Sequence, residues 1–162
     1  MKHIRSVITA ALALAVVPAL AADLGAIDLS SGSAAFSNTP VAGGFADHLN
    51  FTLASASIFN GSITSVLNGN QDVDFTSISL TGPSGVFLFN LLLGDPVELW
   101  AAPATGFSLA AGSYMLTMIG TNSAGVGSYA GNIAVTAVPE PETYALLLGG
   151  LLATGFILKR RR

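Results

Sequence analysis

The alternation of apolar and polar positions changes character along the chain. Residues 7–17 and 143–158 are almost wholly apolar, whereas between them Gly, Ser, Thr and Asn interrupt the apolar residues every few positions. In this middle region the period is two. From Phe45 the odd positions read Phe45, Asp47, Leu49, Phe51, Leu53, and the even ones Ala46, His48, Asn50, Thr52, Ala54. Successive strand residues point to opposite faces, so this pattern predicts a strand with one face on a core. Further strands are predicted at Ser57–Val66, Val73–Leu80, Val86–Leu92, Val97–Ala101, Ser113–Gly120 and Tyr129–Ala137. Asn60-Gly61, Asn68-Gly69-Asn70, Gly82-Pro83-Ser84-Gly85, Gly94-Asp95-Pro96 and Gly125-Val126-Gly127 carry turn chemistry. Seven short strands without a convincing internal helix predict an all-β fold, a single antiparallel β-sandwich of Ig-like or jelly-roll-like kind. A solenoid or fibre-forming β structure is the competing architecture, but no fixed repeat supports a solenoid.

The two apolar stretches read as addresses. Lys2 and Arg5 precede the first, and Pro18 and Ala19-Leu20-Ala21 follow it, the layout of a secretory signal peptide cleaved after Ala21 or Ala22. An uncleaved anchor is the alternative, although the run is short for a span. Near the other end Val138-Pro139-Glu140-Pro141 leads into the second stretch, which Lys159, Arg160, Arg161 and Arg162 close. Sixteen helical residues rise about 24 Å, short of a ~30 Å hydrocarbon core but serviceable as a single transmembrane helix if the basic residues snorkel to the headgroups. Those cations are expected on the cytoplasmic side. The predicted organisation is a signal peptide at 1–22, a sandwich body at 23–138 and a C-terminal segment at 139–162.

Composition sharpens this. All six basic residues of the 162-residue chain lie in its two ends, so the body carries seven carboxylates without Lys or Arg, a formal charge of −7. A region without cations cannot neutralise phosphates, which excludes nucleic acid as a partner. There is no cysteine, hence no disulfide in the oxidising compartment that the signal implies, and packing or a bound ion must supply the stability.

The tail, with Val138-Pro139-Glu140-Pro141, an apolar helix and a terminal Arg cluster, resembles a PEP-CTERM sorting signal. That resemblance implies recognition by an exosortase, a membrane transpeptidase-like enzyme of Gram-negative bacteria that make extracellular polysaccharide. The chain would reach it through the Sec translocon and signal peptidase, sit transiently in the inner membrane, and finish at the cell surface or in the extracellular matrix. The body resembles the FxDxA subgroup of these proteins, in which Phe45-Ala46-Asp47 matches, while His48-Leu49 departs from the final Ala. The subgroup implies a destination and no catalytic residues.

Individual residues leave a few chemical options. Asp47 falls on the apolar face of its strand, and the adjacent His48 points away, so it is expected to cap backbone N–H groups of a neighbouring loop, with a metal or ligand role as the alternative. Asn68, Asn70, Asp72 and Asp74 place oxygens at alternate positions after a turn, a pattern suited to calcium. Val73 and Ser79 stand where an EF-hand needs Gly and Glu. A plain polar hairpin loop is the other reading. Trp100, near Asp95 and Glu98, is expected in the core, with a sugar-binding platform as the alternative. With one His and no Cys, Lys or Arg in the body, most nucleophilic and zinc chemistries are excluded. The expected function is therefore non-enzymatic: a structural or adhesive role linked to exopolysaccharide or biofilm, or else a carbohydrate- or calcium-binding module at the cell surface.

Overall fold

The computed structural model describes residues 20–123, 125–139 and 141–160. Among the described residues eleven strands precede one helix: β1 (Leu20–Ala26), β2 (Ser33–Asn38), β3 (Gly43–Leu53), β4 (Ser57–Val66), β5 (Val73–Gly82), β6 (Gly85–Leu88), β7 (Asn90–Leu93), β8 (Val97–Ala101), β9 (Phe107–Leu109), β10 (Gly112–Asn122), β11 (Tyr129–Ala137) and α1 (Pro141–Arg160). One sheet has the order β1-β3-β10-β5-β6 and the other β2-β11-β4-β8-β7, with β9 pairing the first part of β4. The chain is an all-β sandwich.

Period-two patterning decides which face of each central strand lies inside. Phe45, Asp47, Leu49, Phe51 and Leu53 of β3 are buried while the residues between them are not. On β10, Tyr114, Leu116 and Met118 do the same, and on the opposite sheet Phe59, Ile63, Tyr129 and Ile133 meet them. Aromatic rings join the two layers. Phe45 stacks on Tyr129 at 6.1 Å and Phe75 meets Tyr129 edge-on at 5.2 Å. Phe51 stacks between Phe59, at 5.5 Å, and Tyr114, at 5.7 Å. Each such ring removes a large apolar area from water and stabilises the fold by ~1.5–3 kcal/mol.

The seven predicted strands all form, the one at 86–92 as two. Residues 85–88 pair with β5 in the first sheet, Phe89 is buried between the layers, and residues 90–93 pair with β8 in the second. One extended segment thus edges both sheets on one side of the sandwich. The β1 and β2 strands do the same on the other side. Sequence reading had no strand at β1, β2 or β9, because Ala, Ser and Gly dominate the first two and β9 has only three residues.

Three expectations need correction. The sandwich is not wholly antiparallel, since β1 runs parallel to β3; the chain leaves β1 for the opposite sheet before returning to the first. Asn60-Gly61 is not a turn but lies inside β4, opposite Ala134 and Ile133, and Gly61 leaves room for the Phe59 and Phe89 rings, which a Cβ would meet at 3.1–3.3 Å. At the C-terminal end a helix forms at the predicted place, with Pro141 at its start and Glu142 in its first turn. Among the described residues, however, no helix is long and apolar enough to cross a membrane. Its polar first turn and its three glycines, Gly149, Gly150 and Gly155, dilute the apolar run.

The predicted signal peptide lies mostly outside the described residues. Where description begins, β1 runs through the expected cleavage point, with Leu20, Ala21 and Ala22 opposite Phe45, Ala46 and Asp47.

Candidate functional site

Asp47 sits on β3 of the first sheet, 1% exposed. A carboxylate taken from water without a partner is very costly, and the body has no Lys or Arg to offer. Its Oδ2 instead accepts a hydrogen bond from the Tyr129 hydroxyl at 2.6 Å and another from Asn38 Nδ2 at 2.7 Å. Both donors belong to the second sheet, on β11 and β2. Asp47 therefore ties the two layers together through side chains, not through the backbone N–H groups of a loop as the sequence led one to expect. Burial first, and then the hydrogen bond to Asp47, push the Tyr129 phenol far above its usual range, so it remains a donor at ordinary pH. His48 faces the other way, its Nδ1 lying 3.2 Å from Thr117 Oγ1.

A second buried carboxylate, Glu98 on β8, is also held by neutral donors. Its Oε2 accepts from the Phe75 backbone N–H at 3.0 Å and from Ser65 Oγ at 3.3 Å, and its Oε1 from Trp100 Nε1 at 2.9 Å. Trp100 packs against the core while its indole N–H satisfies Glu98. The ring itself is half-buried.

Of the four residues expected to collect a cation, Asp72 and Asp74 come together, at the start of β5, and a third acid joins them. Carboxylate oxygens of Asp72, Asp74 and Asp95 all lie within 4.8 Å of one another. Asp95 comes from the β7–β8 turn, a position outside the expected set. Asn68 and Asn70 are exposed in the β4–β5 turn, where the Asn68 backbone exchanges hydrogen bonds with Gln71. Desolvation foremost, and then the neighbouring carboxylates, raise both Asp72 and Asp74 above the usual range. The cluster stores repulsion that protonation or a hard cation relieves.

Beside the Asp47 tie a groove of about 1020 Å³ opens over the ends of β2, β11 and β4. Ser37, Asn38, Thr39, Thr64, Asn68, Gln71 and Ser128 line it with hydroxyls and amides, Val66, Leu67 and Ala130 add apolar surface, and no charged residue takes part. Sequence reading missed this groove because its lining comes from three separate stretches of the chain. It also missed Asn122, a fully buried amide that ties two loops: Nδ2 donates to the Pro40 and Gly127 carbonyls, and Oδ1 accepts from the Gly125 and Gly127 N–H groups.

Of the four residues expected to form a sorting motif, Val138 and Pro139 follow β11, with the Val138 N–H donating to the Ala56 carbonyl at 2.8 Å. Glu140, Arg161 and Arg162 lie outside the described residues, while Pro141 opens α1 and Lys159 and Arg160 fall in its last turn.

No protein-family model and no curated protein matches the chain. Among solved structures it is similar to the pre-peptidase C-terminal domain of a collagenase from Bacillus anthracis, at 15% identity over 74% of this chain and 98% of that one, with a TM-score of 0.39. It is similar also to PliG of Aeromonas hydrophila, a periplasmic inhibitor of g-type lysozyme, at 12% identity over 74% of this chain and all of that one, with a TM-score of 0.36. Both likenesses are too loose to establish a shared fold family.

Two outcomes test this geometry. Tyr129→Phe removes one of two donors from a buried carboxylate and is expected to cost about 2 kcal/mol in urea unfolding, with β content unchanged by circular dichroism. The raised Asp72 and Asp74 mean that the folded state holds protons more tightly than the unfolded one, so their contribution to stability falls as pH rises from the ordinary Asp value through the raised ones. Asp74→Asn is accordingly expected to raise the melting temperature at pH 7 by roughly 1–4 °C, a scale limited by solvent screening. The gain should shrink on acidification toward about pH 4 and when millimolar calcium is added.

Proposed function

We propose that this chain is an exported protein of the cell surface or extracellular matrix, delivered by a C-terminal sorting segment that an exosortase removes, and that its sandwich body serves a structural or adhesive role among exopolysaccharide. The observation that carries the proposal is the join between body and tail. The last strand ends at Ala137, Val138-Pro139 leave it, and Pro141 opens a helix whose described apolar side chains are exposed, Leu146 being 78% and Phe156 74% accessible. A helix with no polar face belongs in lipid or against a partner. Ala145 to Leu158 gives about 21 Å of helix, enough for a short hydrophobic seat whose basic end reaches the headgroups. That suits a segment held in the membrane only until it is cut.

The body fits a non-catalytic role in this reading. Its single His, His48, faces away from Asp47, and both buried carboxylates are engaged by neutral donors that tie elements together. A second reading, a carbohydrate-binding module, is favoured by the uncharged groove, since hydroxyl and amide groups beside small apolar patches match the mixed polar and C–H surface of a neutral sugar.

Intact-mass analysis of the protein from surface, matrix and medium fractions of its host tests the first reading. A mature mass lacking residues 1–22 and the C-terminal helix is expected, with the helix retained when the exosortase is deleted. A form confined to membranes that keeps Lys159 to Arg162 in both strains would overturn it. For the second reading, binding on an array of neutral glycans is expected to be lost in Asn68→Ala/Gln71→Ala. Binding unchanged in that variant, or absent from the native chain, would overturn it.

A further inference from the structure

Among the described residues nothing covers the side of the sandwich edged by β6 and β7. There β6 is the last strand of one sheet and β7 the last of the other, so within the described residues both present unpaired N–H and C=O groups. The side chains along this edge are apolar and exposed: Val86, Leu88, Leu91, Leu92 and Leu93 are 51–66% accessible. Residues 85–93 are one continuous segment, with Val86 and Leu88 opposite Thr81 and Ser79 in the first sheet and Leu91 and Leu93 opposite Trp100 and Leu99 in the second. Soluble proteins usually protect such edges with Lys, Pro or a bulge that displays a polar group. This edge has neither Lys nor Pro, and the bulge between Leu91 and Leu93 displays Leu92. The segment also has the composition from which intermolecular β pairing is built, with seven strand-forming or apolar residues of eight and no charge from Val86 to Leu93.

Charge selects the occupant. In a body of formal charge −7, copies of the chain repel one another over most approaches, yet residues 75–94 contain no ionisable group. A second copy meets no like charge at this edge. The direction of approach follows from Asp95, two residues past β7 and part of the acidic cluster. A parallel arrangement would bring the two clusters together. An antiparallel one sets each Asp95 beyond the far end of the other strand, roughly 15 Å or more away at ~3.4 Å per residue, outside the ~8 Å screening length.

We propose that the β6–β7 edge is a self-association surface, on which a second copy of this chain packs about a two-fold axis with its β7 antiparallel to the first. The interface is isologous, so it closes as a dimer. The pairing sets Leu91, Leu92 and Leu93 of one copy beside the same residues of the other. This pairing is independent of how the chain is exported.

The absence of cysteine from the chain makes the test clean. Leu91→Cys places a single thiol near the proposed axis, and Ala35→Cys places one on β2 at the opposite side of the sandwich. Each purified full-length variant is treated with a short bis-maleimide, with Trp100 fluorescence confirming that the fold is kept. Leu91→Cys is expected to give covalent dimer in roughly tenfold excess over Ala35→Cys, and adding Leu92→Lys should remove most of that excess, since burying one charge costs at least the equivalent of a tenfold change. Equal yields from the two thiols, dimer from Ala35→Cys alone, or an excess that survives Leu92→Lys would each overturn the proposal.

Discussion

A carboxylate buried in a protein body without basic side chains constrains everything packed around it. Asp47 cannot be neutralised by a cation, so dipoles must do it, and the Tyr129 hydroxyl and the Asn38 amide come from the opposite sheet. Register follows from this. Tyr129 is opposite Asn38 across β2 and β11, so the two donors are neighbours only while those strands keep their pairing, and both reach Asp47 only while the sheets keep their relative placement. The Phe45, Phe75 and Tyr129 rings fill the space around the tie. Apolar packing alone tolerates sliding between layers; a directional bond to a buried charge does not.

Glu98 repeats the principle at another place. It joins β8 to β5 through the Phe75 N–H and uses the half-buried Trp100 indole as a donor. Stability here rests on aromatic packing and fully partnered polar groups. Among the described residues every buried side-chain nitrogen and oxygen has a partner, as a fold without disulfides or internal ion pairs requires.

How much of this could be read in advance depends on how local each signal is. The period-two faces of β3, β4, β5, β10 and β11 were legible because alternation is a property of neighbouring residues. The unusual position of Asp47 was legible for the same reason, but its donors were not, since Asn38 and Tyr129 are nine and eighty-two residues away and nothing in the pattern marks them. The acidic cluster was half legible: Asp72 and Asp74 are close in sequence, and Asp95 arrives only through the pairing of the sheets. The β1 and β2 strands escaped because Ala- and Ser-rich edges carry little patterning, and Asn60-Gly61 misled because turn composition was outweighed by the pairing of β4 with β11. The groove has no sequence signature, being assembled from the ends of strands that are distant in the chain.

The placement of β11 has a mechanical meaning. It is an inner strand, laddered to β2 on one side and to β4 on the other, and the chain leaves it directly for residues 138–160. Antiparallel hydrogen bonds lie perpendicular to the strands. Tension arriving from the C-terminal segment along β11 therefore loads the rungs of both ladders in shear, all at once, whereas an edge strand pulled sideways would unzip one rung at a time. Pulled from its C-terminal end, the body would yield by shear of two ladders and not by unzipping of one.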